Sequence, residues 1–409
     1  MTADVRRVLF GIALSAVGRG LTLPLLIVYL GQVRGLGTAV AGLVVAYIAL
    51  VSLLLLPAGG ILVDRLGPRP VLIAGLLVLG VGVGLLTQVD SVQTAFAVAT
   101  IVSAGGAFMW GPQSALLGRL TRPDQRQRVF GIQFMLLNLG IGVGGIVAAL
   151  IVDVSSPETF TVLYLVDALT YFAYAGVLLT MPGVGVGPAP VQEGTPSEGG
   201  YREVLRDRTL LRVAVMGLVL LTCGYGSLEV GLPVFITVVN GLAVSWVAVA
   251  FTVNTVTIVS LQMLTIRFIR NRSRSLLMAA VAALWATSWL IMGLTGTMPP
   301  LAAVVAICLS TLVFAIGETL WAPIAPALIN DLAPDHLRGR YTSVQSLVWG
   351  VSGSLGPALA GLLLGAGLVA LWVGIVVAGC AAAGYLAVRL RGHLTPALDG
   401  RSWDGTMPP

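Results

Sequence analysis

Four ionisable side chains stand inside long apolar runs: Arg19 in VGRGLTLPLLIVYL, Asp167, Glu229 in TCGYGSLEVGLP, and Glu318. A charge near the centre of a bilayer costs at least ~2.5–3.5 kcal/mol, so such residues normally face a bundle interior and carry function. A carboxyl group in a poorly hydrated cavity can take up and release a proton near neutral pH. An arginine stays charged at any relevant pH and needs a carboxylate or an anionic ligand. The sequence therefore predicts that Arg19 pairs with Glu229 or Glu318. Aligning the runs around Arg19 and Glu229 on their prolines, Pro24 and Pro233, sets Arg19 against Leu228. Tyr225 precedes Glu229 by one turn and Trp321 lies one face from Glu318, so with Trp110 they form an aromatic set for the same cavity. Asp167, a third of the way into its run, reads as a packing or capping residue.

These side chains need membrane helices to hold them. The 409-residue chain is 57% hydrophobic and 10% charged, against roughly 25% charged in a soluble domain. All 23 basic residues are arginine, a bias that fits a GC-rich bacterial genome. Cys223, Cys308 and Cys380 lie in separate apolar runs without a second ligand at metal spacing, and His336 and His393 are far apart. With no nucleophile–base pair, paired catalytic carboxylates or metal cluster, the sequence gives no support to an enzyme. No soluble module interleaves aromatics with a basic face, which speaks against nucleic-acid binding. The first apolar run continues to Leu30, past the 7–15 residues of a signal-peptide core, and reads as a retained span.

Apolar runs of bilayer length predict an all-α membrane protein with twelve helices. The spans are 8–31, 38–58, 71–88, 94–117, 129–152, 159–181, 211–238, 244–266, 275–295, 301–329, 341–365 and 367–388. A Gly/Pro/Glu-rich stretch, PGVGVGPAPVQEGTPSEGG, divides them six and six. The domains expected are a six-helix bundle over 1–181, a cytoplasmic linker over 182–207, a second bundle over 208–389 and a cytoplasmic tail over 390–409. With the N-terminus inside, 21 of the 23 arginines fall on the inner side; Arg34 lies outside and Arg19 within a span. That alternation predicts cytoplasmic termini and a bacterial inner-membrane location.

The halves repeat. WGPQSALLGRLTRPDQRQR (110–128) parallels WAPIAPALINDLAPDHLRGR (321–340), with matching Trp-x-Pro, Pro-Asp and Arg-x-Arg. Helices 4 and 10 therefore correspond, as do 5 and 11. On that alignment Gly140, Gly144, Gly145, Ala148 and Ala149 match Ser352, Gly356, Pro357, Ala360 and Gly361. Small residues at this spacing let helices pack closely. Repeated halves with a midplane site are the plan of many secondary transporters.

Between helices 2 and 3, GGILVDRLGPRPVL contains Gly60, Leu62, Asp64, Arg65, Gly67 and Arg69. The pattern resembles the loop signature of the major facilitator superfamily, Gly-x-Leu-x-Asp-Arg-x-Gly-x-Arg. On its own chemistry, Gly60 permits close approach, Gly67 a tight turn, and Asp64 can cap a helix N-terminus. The resemblance implies the major facilitator fold, two pseudo-symmetric six-helix bundles with helices 1, 4, 7 and 10 around a central cavity. It also implies that Asp64 gates the carrier by meeting the start of helix 11, near Tyr341, Thr342 and Ser343.

Within that family the chain resembles twelve-helix bacterial multidrug efflux carriers. GPALAG in helix 11 resembles the Gly-Pro-x-x-Gly-Gly stretch that drug/proton antiporters carry in helix 5; in this helix 5 Gly145 replaces the proline. The helix 4 arginine of that branch has no counterpart, since Ile101 stands four residues before Gly105. An apolar, aromatic cavity suits hydrophobic or amphipathic cargo. The function expected is proton-coupled efflux of such compounds by a monomer, with the proton gradient as energy source and no cofactor or metal. The alternatives are an uptake porter for a metabolite and a lipid-type exporter of the same fold.

Overall fold

The computed structural model describes residues 1–153, 156–187 and 200–400. Residues 188–199 of the expected linker and the tail residues 401–409, Arg401 among them, lie outside the described residues. Among those described there is no β-strand. Eleven helices are long and apolar enough to cross a membrane, and a twelfth if the bent pair Ala3–Thr22 and Leu26–Val33 is one span. Counting that pair as α1, the others are α2 (Thr38–Leu66), α3 (Pro68–Leu85), α4 (Val92–Leu120), α5 (Pro123–Ile151) and α6 (Pro157–Leu179). The second set is α7 (Arg208–Val239), α8 (Ser245–Phe268), α9 (Arg274–Leu294), α10 (Pro300–Leu332), α11 (Arg338–Gly365) and α12 (Val369–Leu390). Contacts divide the chain into two compact units: Met1–Tyr201 with Ala333–Ser346, and Arg202–Leu332 with Leu347–Pro409. The opening turns of α11 thus belong with the N-terminal unit.

The loop expected over 59–72 is helix on both sides of a one-residue turn. Gly67 at φ +89° ends α2, and Pro68, which has no N–H to lose, opens α3. Gly60 does not break α2 because it serves close packing: a Cβ there would fall 2.6 Å from the Tyr201 hydroxyl and 2.9 Å from Ser343 Cβ. Likewise α5 begins at Pro123 rather than 129, with proline again at the first turn, and α11 begins at Arg338 rather than 341.

Several arginines of this end cap helices. Arg69 is buried; its Nε donates to Leu178 O at 2.8 Å and its Nη2 to Leu179 O at 3.3 Å, at the end of α6. Arg126 donates to Gly118 O at 3.2 Å near the end of α4. A guanidinium is favoured where helical carbonyls lack partners. The expected tail begins ordered: Asp399 is buried and accepts from Ser275 N at 2.9 Å and Ser273 Oγ at 2.8 Å, capping the start of α9.

Glycines set the helix contacts. In the N-terminal unit, a Cβ on Gly144 would come 2.1 Å from Val17 O and one on Gly20 2.4 Å from Ile141 O, so α1 and α5 touch backbone to backbone. In the other unit, a Cβ on Gly356 would come 2.5 Å from the Gly226 carbonyl carbon, joining α11 to α7. Since Gly144 and Gly356 are repeat equivalents, Gly20 matches Gly226. Two further features keep that register: π-helical turns at Tyr29–Val33 and Phe235–Val239, and positive φ at Gly35 and Gly241. Arg19 therefore corresponds to Tyr225, not to Leu228. The prolines misalign because they do different jobs: Pro24 lies in a 3-10 turn, whereas Pro233 lies inside a helical segment.

Candidate functional site

Asp64 ends α2 with its carboxylate at the start of α11. Gly339 N donates to Oδ1 at 2.6 Å and Arg340 N to Oδ2 at 3.3 Å, while Arg340 Nη1 donates to Oδ2 at 2.9 Å. These are N–H groups of the first helical turn, which have no partner within the helix and favour an anion. The contact falls at the two residues just before the expected Tyr341–Ser343, because α11 starts at Arg338. Ser343 lies deeper, donating to Leu56 O at 2.7 Å. Tyr201, which the sequence did not single out, closes the cluster. Its hydroxyl donates to Pro57 O at 2.7 Å and lies 3.2 Å from Ser343 Oγ, and Arg340 sits over its ring. Gly339 matches Gly60: a Cβ there would stand 2.5 Å from Gly60 O. Arg65 is exposed and Arg69 turns away to cap α6.

The second cluster joins α1, α4 and α6. The Arg19 guanidinium sits over Trp110, 5.0 Å from the ring centroid. Asp167 is 1% exposed and feels the Arg19 charge. Thr22 Oγ1 donates to Asp167 Oδ2 at 2.6 Å, while Oδ1 is buried without a hydrogen-bond partner among the described residues. Gly18 makes room, since a Cβ on it would stand 2.6 Å from Oδ1. Asp167, expected to pack or cap, is thus held by the Thr22 hydroxyl of α1 within the field of Arg19.

The third cluster lies in the C-terminal unit. Glu318 on α10 is buried and accepts a hydrogen bond from Asn254 Nδ2 on α8. One turn away, Trp285 stacks on Phe314 with centroids 4.9 Å apart and planes 8° apart, and its Nε1 donates to Phe314 O. Tyr225 packs edge-on against Trp349 at 5.0 Å, and Trp321 lies 6.4 Å from Trp285. Gly317 admits the indole, since a Cβ there would meet Trp285 Nε1 at 2.5 Å. Tyr225 ends a π-helical turn, Leu221–Tyr225, an irregularity that often marks a functional position.

Other expected residues fall elsewhere. Glu229 is exposed and, among the described residues, takes part in no ion pair. Of the small-residue motif, Gly140, Gly144 and Gly356 make close contacts. A Cβ on Gly145 would meet only Gly20 O, at 3.9 Å, and one on Gly361 nothing within 4 Å. Pro357 lies inside α11. Asn254 and Thr22 were the missed partners. Asn254 carried a signal, as an amide within the apolar stretch FTVNTVTIV.

The helices, the repeat and the Asp64 cluster define a multi-pass membrane carrier. The family model described as Major Facilitator Superfamily matches residues 8–357, and the chain belongs to that family of transporters. It is similar to Multidrug resistance protein MdtH of Aeromonas hydrophila, 28% identical over 75% of this chain and 73% of that one. It is also similar to the uncharacterized MFS-type transporter YdeE of Escherichia coli (strain K12), 23% identical over 86% of each chain. Among solved structures it shares its fold with an outward-facing bacterial homologue of the iron transporter ferroportin (TM-score 0.79, 14% identity, 96% of this chain and 100% of that one). It also shares it with the human organic anion transporter MFSD10 (TM-score 0.69, 15% identity, 95% of this chain and 99% of that one).

Proposed function

We propose that this transporter exports small hydrophobic or amphipathic compounds in exchange for protons, acting as a monomer in a bacterial inner membrane with both termini cytoplasmic. The observation that carries the reading is Glu318: a buried carboxyl, held by the Asn254 amide and one helical turn from the stacked Trp285–Phe314 pair. An acid in such surroundings can exist in both protonation states as hydration changes, and the buried aromatic side chains of this unit would suit varied apolar cargo once the bundle opens. The MdtH relative supports the efflux direction. Asp64 acts as the gate: the hydrogen bonds it accepts from α11 hold when the carrier is open to the outside and break when it opens inward.

Proteoliposomes with an imposed pH gradient test this. Wild-type protein should drive uphill movement of a hydrophobic dye, collapsed by an uncoupler. Glu318→Gln should abolish uphill movement and leave dye counterflow measurable. Uphill transport unchanged in that variant removes Glu318 as the proton carrier; no proton-driven dye movement by the wild type removes the efflux reading. A second reading, an anionic cargo, is favoured by Arg19, whose guanidinium has no ion pair within 4 Å among the described residues. Arg19→Gln would then abolish substrate binding itself.

A further inference from the structure

A groove of about 470 Å³ lies between the start of α7 and the end of α12, and none of its lining residues belongs to the three clusters above. Its mouth carries Arg212, Arg389 and His393, and its wall is apolar, formed by Leu211, Val215 and Leu386. No carboxylate lines it. Among the described residues, neither Arg212 nor Arg389 takes part in an ion pair. Asp207 caps α7, its Oδ1 accepting from Thr209 N at 2.8 Å and Leu210 N at 3.1 Å. Tyr385, also in the wall, accepts from Arg389 Nε at 2.8 Å, which steadies the guanidinium; among the described residues its two terminal nitrogens make no hydrogen bond. Val215 and Tyr385 are 52% and 57% exposed, so the wall opens on the outer surface of the unit.

We infer that this groove binds one anionic phospholipid, its phosphate on Arg212 and Arg389 and its acyl chains along the apolar wall. The charge pattern selects the ligand. Two arginines without counter-ions demand a phosphate oxyanion, which arginine holds through paired N–H groups. The absence of a carboxylate leaves nothing to hold an ethanolamine or choline cation. The apolar wall leading from the cationic mouth fits a molecule that is ionic at one end and hydrocarbon beyond it. Basic pockets at helix ends are suited to such headgroups. The site does not depend on the transport reading or on which way the chain is inserted.

Native mass spectrometry of the intact transporter in detergent, titrated with phosphatidylglycerol or phosphatidylcholine, tests it without any transport measurement. Wild-type protein should retain one phosphatidylglycerol in preference to phosphatidylcholine. The R212Q/R389Q variant should bind phosphatidylglycerol at least about tenfold more weakly, while R212K/R389K, which keeps the charge, should lose less. Equal retention of the two lipids by the wild type overturns the inference, as does undiminished phosphatidylglycerol binding in a folded R212Q/R389Q variant. Glycerol phosphate binding as tightly as the lipid would also overturn it, because the apolar wall would then contribute nothing. Thermal melting establishes that each variant is folded.

Discussion

The Thr22 hydroxyl donates to Asp167 Oδ2 across 2.6 Å, joining α1 to α6 in the buried interior of the N-terminal unit. The second carboxylate oxygen has no hydrogen-bond partner among the described residues, so the acid depends on one hydroxyl and the nearby charge of Arg19. A buried acceptor that loses its donor costs about 1–3 kcal/mol. Thr22→Val should therefore lower stability by that amount in detergent unfolding, and Thr22→Ser should recover most of it. A Thr22→Val variant as stable as the wild type would show that the bond contributes nothing.

Asp64 gives a different kind of prediction. Asp64→Asn keeps the size and one acceptor oxygen but removes the charge that faces the N-terminus of α11. Charge-assisted hydrogen bonds of this type contribute about 1.5–3 kcal/mol. The variant should fold and reach the membrane, yet transport should fall at least tenfold. A cysteine pair at positions 60 and 343 would disturb the packing, so the state is better read from labelling of a cysteine placed at Ser346. Labelling should be faster in the variant. Wild-type transport by Asp64→Asn would end the gate assignment.

Sequence legibility followed the physical range of each signal. Span count and the Asp64 motif were readable because hydrophobic length and a local pattern of charge and glycine are written in consecutive residues. Side-chain partnership was harder. Whether Arg19 faces Asp167 depends on the rotation of α1 about its axis, which no local pattern records. Prolines gave the wrong register for α1 against α7, since a proline can mark a turn or a kink. The glycines at 20, 144, 226 and 356 would have given the right one, because close backbone contact tolerates little else. Asn254 was visible as a polar interruption but had no predicted partner. Tyr201 was hidden by the low-complexity stretch before it.

The glycine contacts predict a contrast between sites of similar sequence appearance. Gly144→Ala puts a methyl group 2.1 Å from Val17 O, a backbone atom that cannot move without shifting α1. Overpacking of this sort costs about 1–3 kcal/mol. Gly361→Ala meets nothing within 4 Å and gains helix propensity, so its stability should match or exceed the wild type. Melting temperatures of the two variants, measured in one detergent, test the difference; equal losses would mean that the small residues act by some route other than close packing.

At the far end of the chain, Asp399 offers a test of whether the tail is structural. Its carboxylate caps α9 through Ser275 N and Ser273 Oγ, and helix caps contribute about 0.5–2 kcal/mol. Asp399→Ala should lose stability in that range with transport per folded molecule unchanged. A transport defect without a stability loss would contradict the capping role.

Arg19 is the residue whose charge most needs explaining, and both of its neighbours attract a cation. Trp110 offers the face of its ring at 5.0 Å, an interaction of about 0.5–2 kcal/mol that any cation can satisfy. Asp167 offers a charge but no direct ion pair. If Arg19 serves mainly to balance Asp167, the two charges are worth keeping or removing together. Arg19→Gln and Asp167→Asn should each destabilise the protein, and the double variant should lose less than the sum. A coupling of at least about 0.5 kcal/mol is expected if the two side chains belong to one electrostatic network. Arg19→Lys should keep most of the stability, because charge is preserved and the ring still accepts a cation. If instead Arg19 holds an anionic group of the cargo, the single variants should be stable and additive, and Arg19→Gln should lose substrate binding while Asp167→Asn keeps it. Unfolding measurements on the four proteins of the cycle, with binding assayed in the same detergent, separate the two outcomes. Strict additivity with unchanged substrate binding would leave neither role standing.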